Sequence, residues 1–531
     1  MKIKKNGFME GAIIATIAII ITKILGILYV IPFYKIIGVQ GGALYSYAYN
    51  IYNIFLIISS AGIPLAISKL TSEYETLKEY DKKNEMYKIS KKLIYIFSIS
   101  AFLLCFIFAS PLAKIILGNL QGGNTIEDVC FVIRCISFAL LIVPVLSIYR
   151  GYLQGHKYIT VSSLSQVIEQ IVRILIILIG SFICVKILNI DIKYAIGISV
   201  FSAAIGALIS YVYLHIKTKK ANIIKDTTKK EFSKEEKKEI LKKIIGYCIP
   251  FIVINIANSL YDTTDMILII RGLSKLGFNA QDVETISSIF TTWGNKLVTV
   301  VKSFATGLTI SLIPSLVNAY ISKDMKRANY YYNKSLKVLL FIILPLTIFM
   351  SLFSNEIWTL FYGKSYYGPL IFRFQILVGV LDSAYLISCS TLQGLYKTKL
   401  VYFSSIIGLI VNALLDLPLM FLFNIIGIYP FYGAIVATII GYIIALGIPM
   451  YILYNKEGFR YSETLKTLPN CLLSILIIII VSTLYKKIMP TFTSFVGICI
   501  YILIIALILG IIYYMMNKKI LIKLIKEKKG N

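Results

Sequence analysis

The groups in this chain that could do chemistry are polar side chains set inside long apolar stretches. Lys23 follows Thr22 and has apolar sequence on both sides, about twenty residues from the chain start. So placed, its ammonium cannot easily snorkel to a polar surface. It either faces a cavity or sits in a structural ion pair. Gln166, Glu169, Gln170 and Arg173 follow the spacing i, i+3, i+4, i+7, which is one face of a helix. Glu169 and Arg173 are placed to pair at i, i+4. That face is either an internal salt bridge against another helix or the hydrophilic wall of a substrate path, and Arg134 can face the same space. Asn255, Asn258, Asp262 and Asp265 fall within one helical arc, with no base four residues on. Two carboxylates in such surroundings are protonated, pair with another helix, or hold a cation. Asn412 and Asp416 are four apart in a later stretch, and Thr438 follows Gly433 and Ala434 in the next. Oxygens from three helices can cage a hard monovalent cation. The alternative is a protonated aspartate hydrogen-bonded across helices. Lys296, Lys302 and Arg373 extend the positive groups into the second half. A cavity holding Lys23, Arg134, Arg173 and Lys296 would favour phosphate or pyrophosphate through charge-assisted hydrogen bonds.

The elements that carry these groups are apolar and long. Of 531 residues, 58% are hydrophobic and 15% charged, with a mean hydropathy of +0.80. Soluble chains are about 45–50% apolar and about 25% charged. Stretches of 18 or more apolar residues have the length that crosses a bilayer. The reading is an all-α polytopic membrane protein, which excludes a soluble enzyme, a disulfide scaffold and a disordered tail. About fourteen transmembrane helices are expected, from 10–37 to 491–516. The first, behind Met1-Lys-Ile-Lys-Lys5, reads as an uncleaved span. Lysines cluster in alternate connections, at 78–88, 217–243, 323–327 and 518–529, while 118–127 and 424–430 hold no base. By the positive-inside rule both termini are cytoplasmic in a multi-pass plasma-membrane protein. The net charge of +28 lies in these clusters rather than on one domain, so nucleic acid is not an expected partner. Eight cysteines without a CxxC pair, and two histidines, give no transition-metal or disulfide framework. No GxxxxGK[ST] loop and no long loop with paired acids is present. The expectation is a transporter, not an enzyme, with no cofactor other than a possible Na+ or H+ coupling ion.

The chain also repeats itself. Phe108–Gly118 parallels Phe353–Gly363, and Leu153-Gln154-Gly155 parallels Leu392-Gln393-Gly394, each roughly 240 residues on. Six spans between equivalent points give a parallel repeat, the layout of transporters whose halves rock about a central site. The expected organisation is an N-terminal six-helix lobe (1–217), a basic linker (218–243), a C-terminal six-helix lobe (244–456), two extra helices (457–516) and a basic tail (517–531). The linker reads either as an amphipathic helix on the inner leaflet or as a solvated connection.

Thr22-Lys23-Ile-Leu-Gly26-Ile-Leu-Tyr29-Val-Ile-Pro32, Ala61-Gly62-Ile-Pro64-Leu-Ala-Ile-Ser68, Arg150-Gly-Tyr-Leu-Gln154-Gly and Ser165-Gln166-Val-Ile-Glu169-Gln170-Ile-Val-Arg173 resemble the SpoVB/YtgP branch of polysaccharide transporters. That branch belongs with MurJ-like lipid II flippases, Wzx flippases and MATE exporters. The resemblance implies two pseudo-symmetric lobes plus two C-terminal helices that form a groove for a lipid tail. It implies that Lys23 stands where MurJ-like proteins place a substrate-contacting arginine. It also implies a sodium site from Asp265 (or Asp262), Asn412, Asp416 and Thr438. Substrate contacts are expected from Lys23, Arg134, Gln166, Glu169, Arg173 and Lys296. Val30 stands where branch members usually carry arginine, and the second span lacks an arginine that MurJ-like proteins use. The implied cargo is an undecaprenyl-diphosphate-linked glycan, first of all lipid II, moved across the bilayer by alternating access. The implied partners are that lipid, the bilayer and other cell-wall synthesis proteins. The alternatives are a flippase for a capsular or sporulation-specific unit, or a MATE-like antiporter.

Overall fold

In the computed structural model every regular element among the described residues is a helix. The structure describes residues 8–60, 62–118, 120, 123–221, 232–395, 397–490, 492 and 494–525. The middle of the expected linker (222–231) and the end of the basic tail (526–531) therefore lie outside the described residues. The chain divides into two compact units, Met1–Thr263 with Phe278–Ser288, and Thr264–Gly277 with Ile289–Asn531.

The first unit holds α1 (Phe8–Leu28), α2 (Val30–Ser60), α3 (Ile63–Thr76), α4 (Tyr80–Ile107), α5 (Ala109–Leu117), α6 (Ile126–Ser137), α7 (Ala139–Gly155), α8 (Ile159–Phe182) and α9 (Ile192–Ala221). To these it adds the first part of α10 (Lys234–Lys275) and all of α11 (Ala280–Ser288). Local chemistry sets the boundaries. Thr125 and Asp128 form a reciprocal capping box at the start of α6. Pro64 occupies the first turn of α3, where a missing N–H costs nothing. Gly151 of α7 lies so close to α3 that an added Cβ would sit 2.5 Å from the Pro64 carbonyl oxygen. Ile240, Ile244 and Cys248 of α10 pack with Ile67, Leu70 and Met86. The described end of the linker is thus the opening of α10, seated on its own unit's core.

The second unit holds the rest of α10, then α12 (Gly294–Ile321), α13 (Met325–Val338), α14 (Leu344–Leu352), α15 (Ser354–Tyr362), α16 (Tyr367–Gly394), α17 (Thr398–Ile425), α18 (Pro430–Asn455), α19 (Ser462–Leu465), α20 (Leu468–Ile488) and α21 (Phe495–Ile525). Among the described residues three segments are π-helical, Ile183–Ile187 in the first unit and Ile289–Trp293 and Leu339–Ile343 in the second.

Among the described residues ten helices are long and apolar enough to cross a membrane, or eleven if the bent pair Ile17–Leu28 and Val30–Ser60 is one span. This falls short of the fourteen expected. The first two expected spans merge into that bent pair, and α10 and α12 are not in the set. Both are nonetheless long enough to cross, at 42 and 28 residues.

The internal repeat is visible in the turns. Lys78 and Lys323 both adopt positive φ, at 58° and 57°. The residue after each bonds back five positions, Glu79 N to Tyr74 O and Asp324 N to Ala319 O, both at 2.9 Å. Gly118 and Gly363 end the nine-residue helices α5 and α15 with positive φ. Tyr158 N bonds Leu153 O at 2.9 Å, as Lys397 N bonds Leu392 O at 2.8 Å.

Candidate functional site

Two polar clusters stand out, one in each unit. In the first unit α1 packs on α8. A Cβ added at Gly26 would lie 3.4 Å from Gln170 Nε2, so this face of α1 looks onto the polar stripe of α8. Lys23 is three residues earlier, on the same side of the helix, and half-buried. On α8, Gln166, Glu169 and Arg173 are half-buried too. The pairing differs from the i, i+4 expectation. Glu169 binds Arg150 of α7, with guanidinium nitrogen and carboxylate oxygen 2.7 Å apart. Arg150 also donates to Ser165 Oγ at 2.8 Å and Ser210 Oγ at 2.9 Å. Three helices, α7, α8 and α9, thereby meet at one guanidinium. Arg173 lies instead over the Tyr49 ring, 5.1 Å from its centroid. Tyr49 stacks on Tyr45 at 4.7 Å, and Tyr45 meets Tyr29 oxygen to oxygen at 3.2 Å. The result is a cation set on an aromatic wall contributed by α2. Arg134 is not drawn into this group. It is exposed on α6, with its guanidinium 5.4 Å from the Phe106 ring centroid.

The second unit brings together four residues from three helices. Asn412 Nδ2 donates to Asp265 Oδ1 at 2.6 Å. Thr438 Oγ1 lies 3.4 Å from Asp265 Oδ2 and 2.9 Å from its own Ala434 carbonyl. Asp416 lies within hydrogen-bonding reach of the Asp265 carboxyl, and apart from that acid both Asp416 oxygens and Asn412 Oδ1 are buried without a hydrogen-bond partner. Asn412 and Asp416 are 0% exposed and Asp265 is 7% exposed. Oxygens left so cost about 1–3 kcal/mol each, and more if charged. Three orphaned oxygens beside a second carboxylate are the donor set a hard monovalent cation wants, so the residues present fit one. Asp265 is the acid of α10 that makes these contacts. Asp262 is half-buried and belongs to the other unit. Among the described residues no group of three or more His, Cys, Asp or Glu could hold a metal ion.

Lys296 is positioned by a device the spacing did not reveal. The π-helical turn Ile289–Trp293 precedes it, and the carbonyls of Phe290 and Trp293 accept from Gln375 Nε2 at 2.5 Å and Tyr362 Oη at 2.7 Å. The Lys296 ammonium sits 4.5 Å from the buried Trp293 ring centroid. Lys302 forms an ion pair with Asp382 of α16. Arg150, Asp382 and Gln375 are functional candidates that sequence spacing missed, because their partners come from other helices.

The chain matches a family model described as polysaccharide biosynthesis protein over residues 8–317, and a MatE model over 250–417. It is similar to a lipid II flippase, MurJ, of Bacillus subtilis (strain 168), 32% identical over 86% of this chain and 84% of the relative. It is also similar to stage V sporulation protein B of the same organism, 23% identical over 69% of each. Among solved structures, a lipid II flippase MurJ in an inward closed conformation aligns with TM-score 0.67 and 18% identity, over 95% of this chain and 99% of that one. An inward-facing MATE multidrug transporter aligns with TM-score 0.62 and 15% identity, over 83% and 99%. The fold is that of the MurJ and MATE transporters.

Proposed function

We propose a function from one premise: the chain belongs to the polysaccharide biosynthesis protein family. It is a flippase that moves a polyprenyl-diphosphate-linked glycan, the peptidoglycan precursor lipid II, from the inner to the outer leaflet of the cytoplasmic membrane by alternating access. Both termini are cytoplasmic. The observation that carries this reading is the alignment of Lys23 with the α8 stripe, where Arg173 rests on an aromatic wall. A diphosphate is recognised by fixed cations in a site poor in water. The Arg150–Glu169 pair holds α7 and α8 together and leaves Arg173 for the ligand. Lys296, seated on Trp293, is the corresponding cation of the second unit. Asp265, Asn412, Asp416 and Thr438 would hold a Na+ ion, which supplies the positive charge that two facing carboxylates lack.

A second reading keeps the mechanism and changes the glycan to a sporulation-specific or capsular unit. The similarity to stage V sporulation protein B favours it. A MATE-like exporter of organic cations is disfavoured by Lys23, Arg173 and Lys296. The test is complementation of a strain depleted of its lipid II flippase, with Lys23→Ala and Asp416→Ala beside the wild type. Rescue by the wild type and failure of a normally expressed Lys23→Ala support lipid II. Failure of a well-expressed wild type moves the cargo to another polyprenyl-linked glycan.

A further inference from the structure

A cleft of about 1040 Å³ opens between α4, α7 and α9, within the first unit. Its two ends differ in chemistry. At one end Lys88, Lys91 and Lys92 project from the early turns of α4, and Lys219 and His215 from the last turns of α9. Among the described residues that line it there is no carboxylate. The floor is aromatic and closed. The Tyr149 and Thr218 hydroxyls bond each other, and Tyr211 packs 5.7 Å from Tyr149. At the other end the wall is apolar, and Tyr95, Ile96 and Ile99 are 39%, 52% and 49% exposed. Lys88, Lys91, Tyr95 and Ile99 run down one face of α4 at spacings of three and four, so one helix carries the change from charge to hydrocarbon.

We propose that this cleft binds an anionic glycerophospholipid, with its phosphodiester among Lys88, Lys91, Lys92 and Lys219 and its acyl chains along Ile96 and Ile99. Basic pockets between transmembrane helices take lipid headgroups by this combination of charge and shape. Lysines that served only to orient the chain would need no cleft beneath them. A free phosphate would leave the apolar half unused. The site is distinct from the Lys23 and Arg173 groups and does not depend on which glycan is carried. Its role is to fix α4 against α9 in an anionic bilayer.

The test is native mass spectrometry of the full chain, released from detergent with phosphatidylglycerol or phosphatidylcholine. A photoactivatable phosphatidylglycerol maps the contact. The expected result is retention of phosphatidylglycerol over phosphatidylcholine, with crosslinks in α4 and α9. K88Q/K91Q/K92Q weakens retention at least ~10-fold, each lysine near an anionic lipid being worth about fivefold. The K88R/K91R/K92R variant keeps the lipid, which separates charge loss from misfolding. K326Q/K334Q/K399Q, which removes the same charge elsewhere, leaves retention unchanged. Equal loss in both glutamine variants would overturn the proposal, as would crosslinks on other helices. So would displacement of the lipid by soluble sn-glycerol 3-phosphate at matching concentration.

Discussion

Asp416 is the residue whose surroundings demand most explanation. Its two oxygens are buried with no partner but the neighbouring acid, which is also buried. Either a proton or a cation must relieve that repulsion, and the two differ in salt dependence. If Na+ is the answer, thermal stability rises with Na+ and not with K+, by about 2.7 kcal/mol at a hundredfold excess over Kd. Asp416→Asn abolishes that dependence. A sodium-independent melting curve for the wild type would leave the proton as the only answer. A second prediction concerns Arg150. Arg150→Gln strands a half-buried Glu169 and costs about 1–3 kcal/mol, whereas Arg150→Gln with Glu169→Gln recovers much of it. Melting of the two variants by fluorescence-detected size exclusion measures the difference. Legibility at this scale followed helix geometry. Asn412 and Asp416 are visible as a pair because i, i+4 places them on one face. Glu169 reads as the partner of Arg173 for the same reason, but Arg150 lies on another helix, and only packing brings the two together. Lys302 and Asp382 were hidden likewise.

At the scale of elements, the π-helical segments act as sockets. A π turn breaks the i to i−4 ladder and frees carbonyls that must find donors elsewhere. Leu339–Ile343 gives the Leu340 carbonyl to Cys471 of α20 at 3.2 Å and the Phe341 carbonyl to Tyr513 of α21 at 2.8 Å. That is how the two extra helices are registered on the second unit. No hydropathy pattern announces a π turn, so this part of the fold was not legible, whereas the repeat was. Phe108–Gly118 and Phe353–Gly363 could be matched because both need a glycine at the same stop. Gly118 has φ 57° and ψ −122°, and Gly363 has φ 81° and ψ −174°, regions essentially closed to other residues. Gly118→Ala and Gly363→Ala are each expected to cost about 1–3 kcal/mol. Both added Cβ atoms would meet open space, so backbone strain alone is measured. A neutral melting temperature at either site would remove the conformational argument for the repeat.

For the whole molecule, charge and repeat make a joint claim about topology. The turns at Lys78 and Lys323 follow the same hydrogen-bond pattern, and each lies in a lysine-rich connection. If the repeat is parallel, both face the cytoplasm, and the connections at Asn189 and Lys364 face outward. Among the described residues the helices long and apolar enough to span are fewer than the fourteen stretches seen in the sequence. Side-specific labelling tests that topology directly. In a background with the eight native cysteines replaced, Lys78→Cys and Lys323→Cys should react with an impermeant maleimide only after the cells are opened. Asn189→Cys and Lys364→Cys should react in intact cells. Labelling of Lys78→Cys and Lys323→Cys from opposite sides would mean an inverted repeat. Asp265 and Lys296 would then sit on helices running opposite to those assumed here, and the cytoplasmic entry proposed for the glycan would have to be abandoned.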